Sequence, residues 1–160
     1  MSEILQALYR GEEDRARELA RGTELDVFEA AALGETARVR QLLDDDPALA
    51  NAFGADGFHA LGLACFFGHV DAARVLLERG AEVDALSKNE HIQTAAIHAA
   101  AASGETGVDE TTRHELVKLV LDHGADPNLA QAGGFRAIDA ARQNGDERLE
   151  RLLKERGAAD

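Results

Sequence analysis

Apolar residues recur along this chain at helical spacing, in short stretches separated by glycine. Val39, Leu42 and Leu43 share one face of one stretch, and Ala73, Leu76 and Leu77 share a face of the next. Leu116, Val117, Val120 and Leu121 follow, then Leu149, Leu152 and Leu153. Spacings of three and four are those of an amphipathic helix that buries one side. Ahead of each lies a stretch of another kind, built on small residues: Ala30-Ala31-Ala32, Ala64-Cys65, Ala99-Ala100-Ala101-Ala102 and Ala140-Ala141. Small side chains let helix backbones approach closely. Gly11, Gly34, Gly68, Gly104 and Gly145 are expected to end these first helices. The pattern therefore predicts pairs of short helices, the first tightly packed and the second amphipathic.

The second helices end on a recurring phrase. Leu76-Leu77-Glu78-Arg79-Gly80-Ala81 returns as Val120-Leu121-Asp122-His123-Gly124-Ala125 and again as Leu152-Leu153-Lys154-Glu155-Arg156-Gly157-Ala158. The glycine supplies the positive φ that stops a helix. Asp44-Asp45-Asp46-Pro47 stands in for it once, because proline bars continuation. A phrase repeated at near-constant spacing marks a stacked array in which each unit contacts only its neighbours. The outer face at the far end of such a stack must be polar, and Arg142, Arg148, Arg151 and Glu155 supply that polarity.

The segment Gly57-Phe58-His59-Ala60-Leu61-Gly62-Leu63-Ala64-Cys65-Phe66-Phe67-Gly68-His69, running on to Asp84, resembles the ankyrin repeat family, and the step from Gly34 to Gly68 is close to its 33-residue period. The resemblance implies an all-α solenoid of helix-turn-helix units joined by short β-hairpin-like fingers. One domain over 1–160 is expected, with an N-terminal capping unit at 2–21 and full units at 22–53, 54–86, 87–130 and 131–160. The family's Thr-Pro-Leu-His is replaced by His59-Ala60-Leu61-Gly62, Ala95-Ala96-Ile97-His98 and Arg136-Ala137-Ile138-Asp139. A hydroxyl cap is worth about 1 kcal/mol and Pro pre-sets φ, so weaker helix starts are expected. His98 matches the family's structural histidine, and His69 reads the same way. Two stretches break the period: a long finger at 85–94 and an insertion at 105–112, both in places where surface loops tolerate or use extra residues.

Composition narrows the function classes. The 160 residues carry a formal net charge of −13, so phosphate backbones and anionic membranes are repelled, and no run of Lys or Arg offsets this. One cysteine, Cys65, rules out an internal disulfide and fits a reducing compartment. The N-terminus lacks a signal-peptide pattern and no apolar run approaches a membrane helix, so a cytoplasmic location is expected. Neither a Gly-x-Ser-x-Gly, a Walker loop nor a His-Glu-x-x-His occurs. No two of the six histidines are spaced to share a metal on one helix face, and Asp44-Asp45-Asp46 lacks the spacing of a calcium loop. No enzyme activity, metal or cofactor is expected.

What the repeat does not explain is where the aromatics sit. In ankyrin-like proteins the partner lies on the concave side, against the finger tips and the ends of the first helices. Five of the seven aromatics, Tyr9, Phe58, Phe66, Phe67 and Phe135, fall at those places. The expected protein-binding set adds Leu33, Asp56, His91, Ile92, Thr94, Gln143 and Asn144. An aromatic row with a polar rim is the usual energetic centre of an interface. The resemblance and this row imply a monomeric, non-enzymatic module that binds a protein partner. The alternative is a structural or regulatory subunit that associates with itself or sits in a larger complex.

Overall fold

The computed structural model describes residues 2–160. Helices α1 (Glu3–Tyr9) and α2 (Glu13–Ala20) form the first pair, α3 (Val27–Leu33) and α4 (Thr36–Asp45) the second, and α5 (Ala60–Phe66) and α6 (Val70–Glu78) the third. Helices α7 (Ala96–Ala101) and α8 (Glu110–Asp122) follow, then α9 (Ala137–Gln143) and α10 (Glu147–Glu155). Helices α1, α3, α5, α7 and α9 pack in sequence as one layer, and α4, α6 and α8 pack in sequence as the other. The alanines of the first layer are why this is possible: Ala30, Ala31, Ala32, Ala60, Ala64, Ala96, Ala100 and Ala101 are all fully buried. Leu43, Leu76, Leu116 and Leu153 of the second helices close the same continuous core. The fold is all-α, and among the described residues only the isolated antiparallel bridges Phe53–His59 and Ala130–Arg136 mark the fingers.

The first-layer helices start well, contrary to the expectation from their missing Thr-Pro. In α3, Asp26 accepts from Glu29 N–H at 2.8 Å while Glu29 accepts from Asp26 N–H at 3.0 Å. In α5 the histidine has moved to the cap itself: His59 Nδ1 accepts from Gly62 N–H at 2.9 Å. A Cβ on Gly62 would sit 3.0 Å from the His59 ring, so the absent side chain makes room for the displaced imidazole. In α7, His98 Nδ1 reaches back to Ala95 N–H at 3.0 Å, and in α9 Asp139 accepts from Arg136 N–H at 2.9 Å. Each helix thus has a side chain satisfying an otherwise orphaned amide, from whichever end of the turn supplies it.

The same rings bind units together. With Nδ1 accepting, the proton lies on Nε2, so His59 donates to Ala85 O at 2.9 Å and His98 to Leu129 O at 2.7 Å. His69 Nε2 lies 2.9 Å from Ala32 O of the preceding pair. His59→Thr alone is therefore expected to cost about 1 kcal/mol through the lost Ala85 bond. His59→Thr with Gly62→His restores the family's arrangement and is expected to recover it; paired urea unfolding curves check both.

Burial first, and against it these carbonyl bonds, leaves all three histidines with pKa values lowered from the ordinary histidine range. A lowered folded-state value means the unfolded chain takes up protons that the folded chain refuses. Stability is therefore full above about pH 6.5 and is lost as pH falls below it, by at most about 1.4 kcal/mol per pH unit for each histidine. Urea unfolding at two pH values either side of 6.5 is expected to show an earlier midpoint at the lower one. A shallower pH dependence is expected in His59→Gln.

The insertion is shorter and better packed than its sequence suggests. Thr111 and Thr112 belong to α8, and Ser103–Thr106 forms a 3-10 turn. The left-handed glycine of this turn is Gly107, at φ 82°, and not Gly104. Thr106 Oγ1 donates to Phe66 O at 2.6 Å, as His69 reaches Ala32 O one pair earlier. A Cβ on Gly68 would meet Val108 at 2.6 Å, and one on Gly34 would meet His69 at 2.4 Å. The inserted residues thus rebuild, with Thr106 and Val108, the contact that His69 makes alone.

Candidate protein-binding face

Four of the aromatics singled out in the sequence come together. The Tyr9 ring, at the end of α1, lies 5.7 Å from Phe67 and 6.3 Å from Phe58 between centroids. Phe66 meets Phe67 edge-on at 5.3 Å. These are ring-on-ring contact distances. The rings meet one another directly, so the cluster is apolar where they touch. The Tyr9 hydroxyl donates to Asp56 Oδ2 at 3.2 Å, and burial, then the Asp56 charge, pushes the Tyr9 pKa well up. Asp56 Oδ1 also accepts from Phe58 N–H at 3.2 Å, fixing the finger that carries the ring.

Exposure divides the set. Phe58, Phe66, Phe67 and Phe135 are half-buried and pack partly against the core, whereas Tyr9 is 37% and Ile92 50% exposed. Leu33 is corrected: it is only 4% exposed and cannot reach a partner. The physical reason is that α3 lies between α1 and α5, and Tyr9 meets Phe67 from the far sides of it.

His91, Ile92 and Thr94 sit on the long finger, which is held from within. Asn89 Oδ1 accepts from His91 N–H at 2.9 Å and from Ile92 N–H at 3.1 Å. Ser87 Oγ donates to Ile92 O at 2.7 Å and accepts from Thr94 N–H at 3.0 Å, so a buried serine cross-braces the finger. The finger leans on its predecessor through Lys88 N–H to Gly57 O at 2.7 Å and Asn89 Nδ2 to Asp56 O at 2.8 Å. Lys88 Nζ lies 4.4 Å over the Phe53 ring. Asp56 therefore links the aromatic cluster to the long finger. Gln143 and Asn144 are exposed at the end of α9, and Phe135 begins the last finger; the ring cluster at Tyr9 does not include it.

The charge lies largely elsewhere. The acidic runs Glu12-Glu13-Asp14, Asp44-Asp45-Asp46 and Asp109-Glu110 begin or end second helices, whereas the cluster carries Asp56. Cys65 is fully buried in α5, and burial pushes its thiol up to about 12, so it is a packing residue.

One constellation was not anticipated from the sequence. Glu110 and His114 lie one turn apart on α8, and Asp146, the N-cap of α10, meets them. His114 Nε2 is 2.8 Å from Asp146 Oδ2, and Arg113 donates to that same oxygen at 3.0 Å. Desolvation opposes ionisation of Asp146, but bonds from His114, Leu149 N–H and Arg113 outweigh it and hold its carboxyl below the usual range. A carboxylate four residues before a histidine is the signal that a search for paired histidines passes over. The third member comes from 32 residues on and is visible only in the fold.

The family model for ankyrin repeats, in three copies, matches residues 27–131. Ankyrin repeat and SAM domain-containing protein 6 of Mus musculus is 31% identical over 133 residues, which is 80% of this chain and 14% of that protein. The Rattus norvegicus protein of the same description is 29% identical over the same length. The chain thus spans a small part of the length of these relatives. Among the described residues no helix is long and apolar enough to cross a membrane.

Proposed function

This chain belongs to the ankyrin repeat family, whose repeats are generally protein-binding and non-enzymatic, and from that premise we propose that it binds a protein partner through the concave face of its stack. The observation that carries this reading is the ring cluster of Tyr9, Phe58, Phe66 and Phe67, tied through Asp56 to the braced finger bearing Ile92. Clustered aromatics at the centre of a surface, with polar groups around them, supply most of the energy of an interface. We read the units as 2–21, 22–53, 54–86, 87–130 and 131–160, acting as a monomer in the cytoplasm, with His91, Thr94, Phe135, Gln143 and Asn144 as outlying contacts.

The partner presents an apolar segment to the row. The net charge of −13 keeps nucleic acid away. Immobilised wild type, Tyr9→Ser and Lys118→Ser, the last on exposed α8 surface, are to be compared for capture from native extract. A protein retained by wild type and Lys118→Ser but lost by Tyr9→Ser supports the reading. Equal retention by all three rejects it.

A further inference from the structure

We propose that Glu110, His114 and Asp146 form a site for a zinc-class divalent ion that clips α8 to α10. One ligand atom from each, the Nε2 of His114 and a carboxylate oxygen of the other two, lies within 4.8 Å of the others. His114 Nε2 is 2.8 Å from Asp146 Oδ2, 3.0 Å from Asp146 Oδ1 and 3.9 Å from Glu110 Oε1. Zinc bound at about 2.0–2.2 Å from each ligand needs ligand atoms roughly 3.3 Å apart, which these separations bracket. The ion takes the place of the direct contact now made between His114 Nε2 and the Asp146 carboxylate.

The surroundings are those of a held ligand set. Asp146 has a side chain only 4% exposed. Its Oδ1 accepts from Leu149 N–H at 3.0 Å, and its Oδ2 from Arg113 at 3.0 and 3.3 Å. Oδ1, which accepts a single N–H and lies 3.0 Å from His114 Nε2, retains a second lone pair for the ion. Arg113 is then the outer partner that fixes a ligating carboxylate. Arg148, 72% exposed and 3.9 Å from Glu110, is released at little cost. A cleft of about 290 Å³, lined by Glu110, Arg113, Asn144, Asp146, Glu147 and Arg148, opens beside the two carboxylates and leaves room for water to complete the coordination. An imidazole with two carboxylates suits zinc, whereas calcium and magnesium take oxygen ligands alone.

Calorimetric titration of the chelator-stripped full chain with zinc chloride tests this, beside Glu110→Gln, His114→Gln and a magnesium chloride control. One ion per chain is expected, with a raised unfolding midpoint in zinc and none in magnesium. Glu110→Gln, a surface change that leaves the fold intact, is expected to weaken binding at least about tenfold, and His114→Gln to abolish it. Absence of zinc binding overturns the proposal. So does binding that Glu110→Gln leaves unchanged, which would place the ion on exposed histidines such as His91 or His123.

Discussion

Gly57→Ala is expected to lower the unfolding free energy by about 3 kcal/mol, against about 1 kcal/mol for Gly22→Ala. Both glycines occupy the left-handed region, at φ +84° and +71°, so both substitutions carry the cost of a side chain there. They differ in what the new methyl meets. At Gly22 nothing lies within 4 Å, whereas at Gly57 the Cβ falls 2.5 Å from Asn89 N, 2.6 Å from Lys88 C and 2.8 Å from Lys88 O. Those are backbone atoms and cannot rotate away, so the two fingers must part. The bond from Lys88 N–H to Gly57 O, 2.7 Å long, goes with them. The midpoint of thermal unfolding is expected to fall by roughly 6–12 °C, at about 2–4 °C per kcal/mol for a chain of this size. Circular dichroism melts of the two variants settle the comparison, and equal losses would contradict the close approach of the fingers.

Tyr9→Ser is expected to weaken partner binding by roughly 30- to 150-fold, the scale of an aromatic hot spot worth about 2–3 kcal/mol. The ring is the most exposed of the cluster and bridges Phe58 and Phe67. Its removal opens a gap in the apolar surface and frees Asp56 from the hydroxyl. Tyr9→Phe keeps the ring and loses only the bond to Asp56, so it is expected to retain most of the affinity. A binding curve for the captured protein against wild type and the two variants gives the measurement. If Tyr9→Phe is as damaging as Tyr9→Ser, the hydrogen bond and not the apolar surface is what the partner uses.

The architecture was legible because its signals are local. Leucine pairs at helical spacing, alanine-rich first helices and glycine stops identify the helices, and Leu43, Leu76, Leu116 and Leu153 are buried as the pattern requires. What escaped depends on contacts between units. Leu33 has the right place in its unit for a contact residue, but two neighbouring helices enclose it. His59 looks like a lost cap until the empty space at Gly62 shows how its ring turns back onto the helix. Gly104 occupies the expected turn in the sequence, yet the added residues move the left-handed position to Gly107. Asp146 reads as an ordinary helix cap, and only the stack brings Arg113 and His114 to it.

The aromatic row was legible in the sequence, but the direct contact of Tyr9 with Phe58 and Phe67 across an intervening unit was not. It is nonetheless what turns single aromatic positions into a surface. The proposed binding face rests on that surface, and site-specific photocrosslinking tests it most directly. A benzophenone side chain is placed at Tyr9 or at Ile92, both exposed on the proposed face, and in a parallel chain at Glu115, exposed on α8. After irradiation in native extract, the account predicts a discrete protein adduct from positions 9 and 92 and none from 115. An adduct formed from 115 while 9 and 92 stay unreacted would place the partner on the second-helix layer and contradict it.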